Sequence, residues 1–288
     1  MNYIIKYNNY YTIEFMNQII SKIYPPSKNA VCKANNVYLP SKIKQIKNPL
    51  KPLYYANFLT SFDGRIATFS SRYKRLLTPN NIKSDVDFSL FCQLHAQADC
   101  LVTNTQYIKG LNKGFYGDIL SIKNPKLEKW RNKNKLKKQK IIILSNSLNF
   151  PINKKIIPYK ENIIILTTSK NQKKINSFKS NGFEVLKFTG KNISVNQLNN
   201  FIIKRKFYFI YFIAGPNIVE QFICKNMLDK LYCSISLNMM GTKNYDTIIR
   251  GEYLKKPIKL NLLEMYIYQD KKKSNYQTLF QVFNLKGK

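Results

Sequence analysis

Apolar stretches of strand length, broken by polar turns and helical spacings, run through most of this chain. Leu53–Leu59 is the first clear strand, and it stops at the polar break Thr60-Ser61-Phe62-Asp63-Gly64-Arg65. Upstream, Ile13, Met16, Ile19, Ile20 and Ile23 fall at helical spacing, which predicts a helix over Tyr11–Tyr24 ended by Pro25-Pro26. Residues 27–50 are polar, basic and without period, and read as a connector. The expected division is therefore an N-terminal helix and basic connector over 1–50 and one domain over 51–288.

Beyond the Asp-Gly turn, Thr68–Pro79 reads as a loop. Ser84-Asp85-Val86-Asp87 opens a helix with a hydroxyl cap and acids in its first turn, burying Val86, Leu90, Phe91 and Leu94 up to about Ala98. A buried strand over Asp99–Val102 and a polar turn over Thr103–Gln106 follow. A helix is expected over Pro125–Lys133, then strands at Lys140–Ser145 and Asn162–Thr168. Asn171–Asn181 is a helix closed by Gly182, Glu184–Phe188 a strand, and Ser194–Lys204 a helix opened by Ser194. Lys206–Ala214 is the most apolar strand and is expected at the centre of a sheet, leading through Gly215-Pro216-Asn217 into a helix over Ile218–Met227. Leu231–Leu237 alternates as a half-buried strand. Leu260–Tyr268 and Tyr276–Phe283 form a hairpin. The sum is an α/β protein with a mixed sheet, parallel in the centre with an antiparallel C-terminal edge, and helices on both faces.

Composition narrows the picture. The 288 residues are 44% hydrophobic and 14% aromatic, enough to fill a core. No apolar run reaches membrane-helix length and the N-terminus lacks signal-peptide features, so the expectation is a cytoplasmic protein without a membrane partner. Five cysteines without a CxxC pair, beside a single histidine, argue against a zinc site and read as buried free thiols. The net charge of +33 would suggest nucleic acid. The lysines, however, are spread along the chain together with Asn, Ile and Tyr, as in a drift that puts Lys in place of Arg everywhere. The densest run, Trp130–Lys140, has one aromatic and no stacking pattern, so no specific nucleic-acid partner is expected.

Two elements carry candidate chemistry. A strand that ends in Ser-x-Asp-Gly aims Ser61 and Asp63 past the sheet's carboxyl edge, where ligands bind in open α/β sheets. Gly215 lies between a strand and a helix N-terminus, where backbone can approach a ligand and free N–H groups can face a phosphate. Each is also ordinary turn punctuation. His95, on the predicted helix, reads as structural or exposed rather than catalytic.

Three motifs in order, NFLTSFDGRIAT over Asn57–Thr68, FSLFCQLHAQADCLVT over Phe88–Thr103 and IAGPNIVEQFICKNMLDKLYCSISLNMMG over Ile213–Gly241, resemble the reductase domain of riboflavin biosynthesis, a member of the dihydrofolate-reductase-like superfamily. The resemblance runs from about Leu53 to Phe283. It implies NADPH as cofactor and hydride delivery to C1 of the ribosyl group of a phosphoribosylamino-pyrimidine. It implies Ser61 and Asp63 at the small-molecule substrate, with Asp63 holding or protonating the reacting group, and Thr78 near the ligands. Asn104 and Thr105 would face the cofactor, Ala214, Gly215, Pro216 and Asn217 its phosphates, and a homodimer is expected. The chain departs from the family where Ile213-Ala214-Gly215-Pro216 replaces Glu-Gly-Gly-Pro, and where Asn104-Thr105-Gln106-Tyr107 replaces Gly-x-Gly-Thr. These departures keep open an alternative: an altered-substrate or non-catalytic descendant acting as a binding module. The zinc deaminase that accompanies such domains needs HxE and PCxxC, and this chain has neither.

Overall fold

The computed structural model describes residues 18–285, apart from 42, 44–47, 49–50, 123, 214, 252–253, 255 and 271–275. The first strands are β1 (Ile19–Tyr24), β2 (Val31–Lys33), β3 (Leu53–Ser61), β4 (Ala67–Ser70) and β5 (Arg75–Leu77). Then come α1 (Asp85–Gln97), β6 (Cys100–Asn104), α2 (Thr105–Asn112), α3 (Pro125–Lys133), β7 (Lys140–Ser145) and β8 (Ile163–Thr167). The chain continues through α4 (Gln172–Ser180), β9 (Glu184–Lys187), α5 (Val195–Lys204), β10 (Phe209–Phe212) and α6 (Pro216–Cys224). It closes with β11 (Lys230–Ser236), β12 (Tyr245–Asp246), β13 (Asn261–Asp270) and β14 (Tyr276–Asn284).

Two compact units result. A mid-chain unit draws its described residues from Lys42–Leu53 and His95–Gly215; a flanking unit draws its own from Thr12–Ser41, Tyr54–Leu94 and Pro216–Lys288.

In the mid-chain unit, strands lie in the order β10-β6-β7-β8-β9, all parallel. Continuous apolar runs explain this, since a parallel strand is covered on both faces. Cys100–Val102, Ile141–Ile143, Ile163–Leu166 and Phe209–Phe212 are all buried. The strand expected over Lys206–Ala214 is shortened at its start. Lys206 adopts φ 56° and its N–H closes onto Ile203 O at 2.9 Å, so α5 ends in a tight turn before β10 begins. Asp99 fixes that beginning: its Oδ2 accepts from Tyr208 N at 3.0 Å and Phe209 N at 3.2 Å. The expected polar turn over Thr103–Gln106 is instead the end of β6 and the start of α2. Asn104 is the N-cap, its Oδ1 accepting from Tyr107 N at 3.1 Å.

In the flanking unit the order is β2-β1-β13-β14-β11-β3. Only the β11–β3 pair is parallel. The C-terminal hairpin makes the antiparallel part, and β1 and β2 extend it outward. This corrects the helix expected over Tyr11–Tyr24. Residues 11–17 of it lie outside the described residues, and Ile19–Tyr24 is a strand. Ile20 is 1% exposed while Ile19 is 60% exposed, which no shared helical face allows. The ten-residue β13 offers a ladder of backbone partners, and that tertiary demand overrides local spacing. The expected connector also has structure: Gln93 Oε1 accepts from Tyr38 N at 3.0 Å and Gln93 Nε2 donates to Ala34 O at 2.6 Å. The expected loop over Thr68–Pro79 contains a hairpin, β4 with β5, joined by β12 into a second, three-stranded sheet.

Asp229 does for β3 what Asp99 does for β10. Its Oδ2 accepts from Tyr54 N at 2.8 Å and its own N–H donates to Tyr54 O at 2.9 Å. Asp229→Ala leaves the buried Tyr54 amide without its charged acceptor. The expected cost is about 2 kcal/mol in denaturant titration; an unchanged midpoint would refute the role.

Candidate active site

β3 ends in a closed turn. Ser61 N donates to Arg65 O at 3.0 Å, Gly64 N to Ser61 O at 3.0 Å, and Arg65 N to Ser61 Oγ at 3.1 Å. Gly64 sits at φ 82°, the left-handed region a side chain disfavours. The turn therefore delivers Ser61, fully buried, and Asp63, partly exposed, at the strand's carboxyl end.

Asp63 is held from every side. Ser61 Oγ donates to its Oδ1. Its Oδ2 accepts from Met240 N at 3.1 Å and Gly241 N at 3.0 Å, and pairs with the Arg65 guanidinium. Arg65 lies over the Tyr245 ring, 4.4 Å from guanidinium carbon to centroid. Phe62 N donates to Asn238 O at 2.9 Å, so the loop 238–242 is zipped onto the turn. Desolvation alone would raise the Asp63 carboxyl; the Ser61 hydroxyl, the Gly241 and Met240 amides and Arg65 overcome it and hold the carboxyl at about 2. It is a fixed anion at neutral pH and has no proton to give.

The remaining expected residues fall as follows. Thr78 follows β5 and is half-buried. Ala214 lies outside the described residues. Gly215 directly precedes α6, and a Cβ built on it meets nothing within 4 Å. Pro216 is the first residue of α6 and is buried; Asn217 Oδ1 accepts from Arg250 Nη1 at 2.9 Å. Within the flanking unit, Asp63 and Asn217 are tied to one framework although far apart in sequence. Ile66 N donates to Asp246 O at 2.9 Å, and Asp246 Oδ1 pairs with Arg250 Nε at 2.5 Å. In the mid-chain unit, Asn104 caps α2 and the Thr105 hydroxyl donates to Leu144 O at 3.4 Å, so both side chains serve the local fold.

The family model of the RibD C-terminal domain matches residues 52–273. The chain belongs to that family. No curated protein matches it in sequence. Among solved structures, this RibD-family chain is similar to a pyrimidine reductase-like protein from Corynebacterium diphtheriae at 16% identity and TM-score 0.65, covering 89% of this chain and 100% of that one. It is also similar to RibD from Acinetobacter baumannii, at 16% identity and TM-score 0.57, covering 82% of this chain. Only 58% of that RibD is spanned. Riboflavin biosynthesis reductase Rib7 from Saccharomyces cerevisiae matches at 13% identity and TM-score 0.52, over 88% of this chain and 98% of that one. At such identities the likeness is one of fold, the dihydrofolate-reductase-like arrangement expected from the motifs.

Sequence reasoning missed Arg65, the Met240-Gly241 amides and Arg250. Arg65 was visible as the third letter of Asp-Gly-Arg, and Met240 and Gly241 close the third motif, but only the chain's return path brings their amides to the turn; Arg250 has no local signal. Large apolar side chains also rim it: Phe62 is 60% exposed and Met239 76%. His95 is structural, as expected. Its Nε2 meets Ile119 O at 3.1 Å and so carries the proton there, while Gln139 Nε2 faces Nδ1 at 3.4 Å. Burial lowers it to about 3, Arg131 adding to the effect against the Ile119 hydrogen bond. The thiol expectation needs one correction. Cys92, Cys100 and Cys233 are buried, but Cys32 is half-buried and Cys224, closing α6, is exposed. No helix among the described residues is long and apolar enough to cross a membrane.

Proposed function

We propose that this RibD-family chain is an NADPH-dependent reductase acting on a phosphoribosylamino-pyrimidine, reducing C1 of its ribosyl group. The observation that carries the reading is the shared framework of the Asp63 turn and the first turn of α6. NADPH, when bound, supplies the hydride. The N-terminal turn of α6, which carries Asn217, fits a phosphate group.

The chain's own residues do the rest. Asp63 Oδ1 takes a hydrogen bond from Ser61 and retains acceptor capacity for a substrate hydroxyl. As a fixed anion it orients the ribosyl group and favours positive charge at the carbon that receives hydride. Of the two roles the resemblance implies, holding suits a carboxyl at about 2 and protonating does not; water supplies the proton. Phe62 and Met239 offer apolar surface to a flat heterocycle.

The test is cofactor binding. NADPH fluorescence should change on mixing with the purified protein, and excess NADPH should raise its melting temperature. Absence of both effects would end the reading.

A further inference from the structure

We propose that Arg250 is a positioning residue that couples the first turn of α6 to the Asp63 turn, so that the cofactor and substrate ends of the site are set by one latch. The inference rests on the functional reading above and adds to it a residue that the family motifs do not contain.

The latch has two sides. On one, the Arg250 guanidinium bridges Asp246 Oδ1 at 2.5 Å and Asn217 Oδ1 at 2.9 Å. On the other, the Glu220 carboxylate accepts from Arg250 N at 3.3 Å and Gly251 N at 2.7 Å. The segment 246–251 is thereby fixed to Asn217 and Glu220, one helical turn apart on α6. A Cβ on Gly251 would lie 2.3 Å from Glu220 Oε1, so a larger residue there would push the Glu220 carboxylate off these amides. From Asp246 the connection continues through β12 to the turn: Asp246 O accepts from Ile66 N at 2.9 Å, and Tyr245 carries the Arg65 guanidinium on its ring. The path from Asn217 to Asp63 therefore runs through Arg250, Asp246, Tyr245 and Arg65.

Composition makes the choice of residue informative. Of 48 basic residues only six are arginines, at 65, 72, 75, 131, 205 and 250. In a chain so rich in lysine, an arginine marks a place where a planar fork does what an ammonium point charge does not. Arg131 shows the pattern, its guanidinium donating to Ala96 O, Ala98 O and Lys137 O. Arg250 shows it again, joining two segments with one side chain. Its side chain is 42% exposed, so the ion pair adds little to folding stability, and its geometric effect falls on the helix start.

The test uses NADPH as probe and measures its dissociation constant by fluorescence for wild type, Arg250→Ala, Arg250→Lys and Gly251→Ala, with the ligand-free melting temperature as control. Arg250→Ala should weaken binding ~10-fold with little change in melting temperature. Arg250→Lys keeps the charge but loses the fork, and should resemble Arg250→Ala. Gly251→Ala should reproduce the loss by displacing Glu220. In combination with Asp63→Asn, the effects on NADPH binding should be non-additive, because both act on one connected element. Wild-type affinity in Arg250→Lys would show that charge alone matters and would overturn the latch, as would strict additivity with Asp63→Asn. Failure of the wild type itself to bind NADPH would remove the functional reading and the latch together; binding left unchanged in every variant would remove the latch alone.

Discussion

Asp63→Asn is expected to lower turnover by ~10²-fold or more, with the fold intact and a much smaller loss of NADPH affinity. The amide keeps the size of the carboxylate and one acceptor, but it removes the charge and puts an NH₂ group where either Ser61 Oγ or the Met240 and Gly241 amides need an acceptor. Arg65 is left uncompensated. Steady-state kinetics with the pyrimidine substrate read the effect, which should appear in kcat more than in KM. A fall confined to KM would assign Asp63 to binding only. The wild-type pH profile provides a second check. A carboxyl at about 2 contributes no limb to the rate between pH 4 and 8, so an acid limb near pH 5 would have to come from another group. The sign for stability follows. Asp63 is depressed in the folded state, so its contribution is complete above the ordinary carboxylate range and is lost as pH falls toward 2.

Asp87→Asn should act in the opposite direction and stabilise the protein at high pH. Asp87 lies in the first turn of α1, where its N–H donates to Ser84 Oγ at 3.1 Å. Its Oδ1 is sealed from solvent with no hydrogen-bond partner. Desolvation pushes its carboxyl up to about 6, against a hydrogen bond from Ser234. Tyr38, Cys92, Cys233 and Tyr276 face it, each pushed upward by burial first and by the Asp87 charge in addition. A folded-state value above the unfolded one means the folded protein binds more protons between about pH 4 and 6. Stability is therefore complete below that window and falls as pH rises through it. The rise from 3.8 to about 6 corresponds to ~3 kcal/mol at pH 8. Asparagine removes the buried charge but must place its NH₂, so a net gain of about 2 kcal/mol is expected at pH 8 and almost none at pH 4. Denaturant titrations of both proteins across that range decide it; parallel curves would contradict a buried, charged Asp87.

Most of the parallel architecture was legible because it is local. Ile141–Ile143 and Ile163–Leu166 are uninterrupted apolar runs of strand length, and Ser194 and Gln197 form a capping box readable from their spacing. What could not be read depends on distant partners. Ile19–Tyr24 becomes a strand because β13 lies beside it. β4 and β5 are four- and three-residue strands in a Ser- and Arg-containing stretch with no period of their own. At the site, Ser61 and Asp63 could be picked out because a strand ending in Ser-x-Asp-Gly is a local pattern. Their environment could not, since Met240, Gly241 and Arg250 arrive from the far end of the chain. The acids of the Ala-Asp and Leu-Asp pairs, part of the family motifs, turn out to start strands, with Asp99 serving β10 and Asp229 serving β3.

The N-terminal ribbon has a practical consequence. The family match begins at residue 52, so a fragment trimmed to that border would lack Ile19–Lys33. Such a fragment would uncover the outer edge of β13, which β1 pairs over Met265–Ile267, and so present an open template for self-association, where this chain's sheet ends on the three-residue Val31–Lys33, whose last side chain is a lysine.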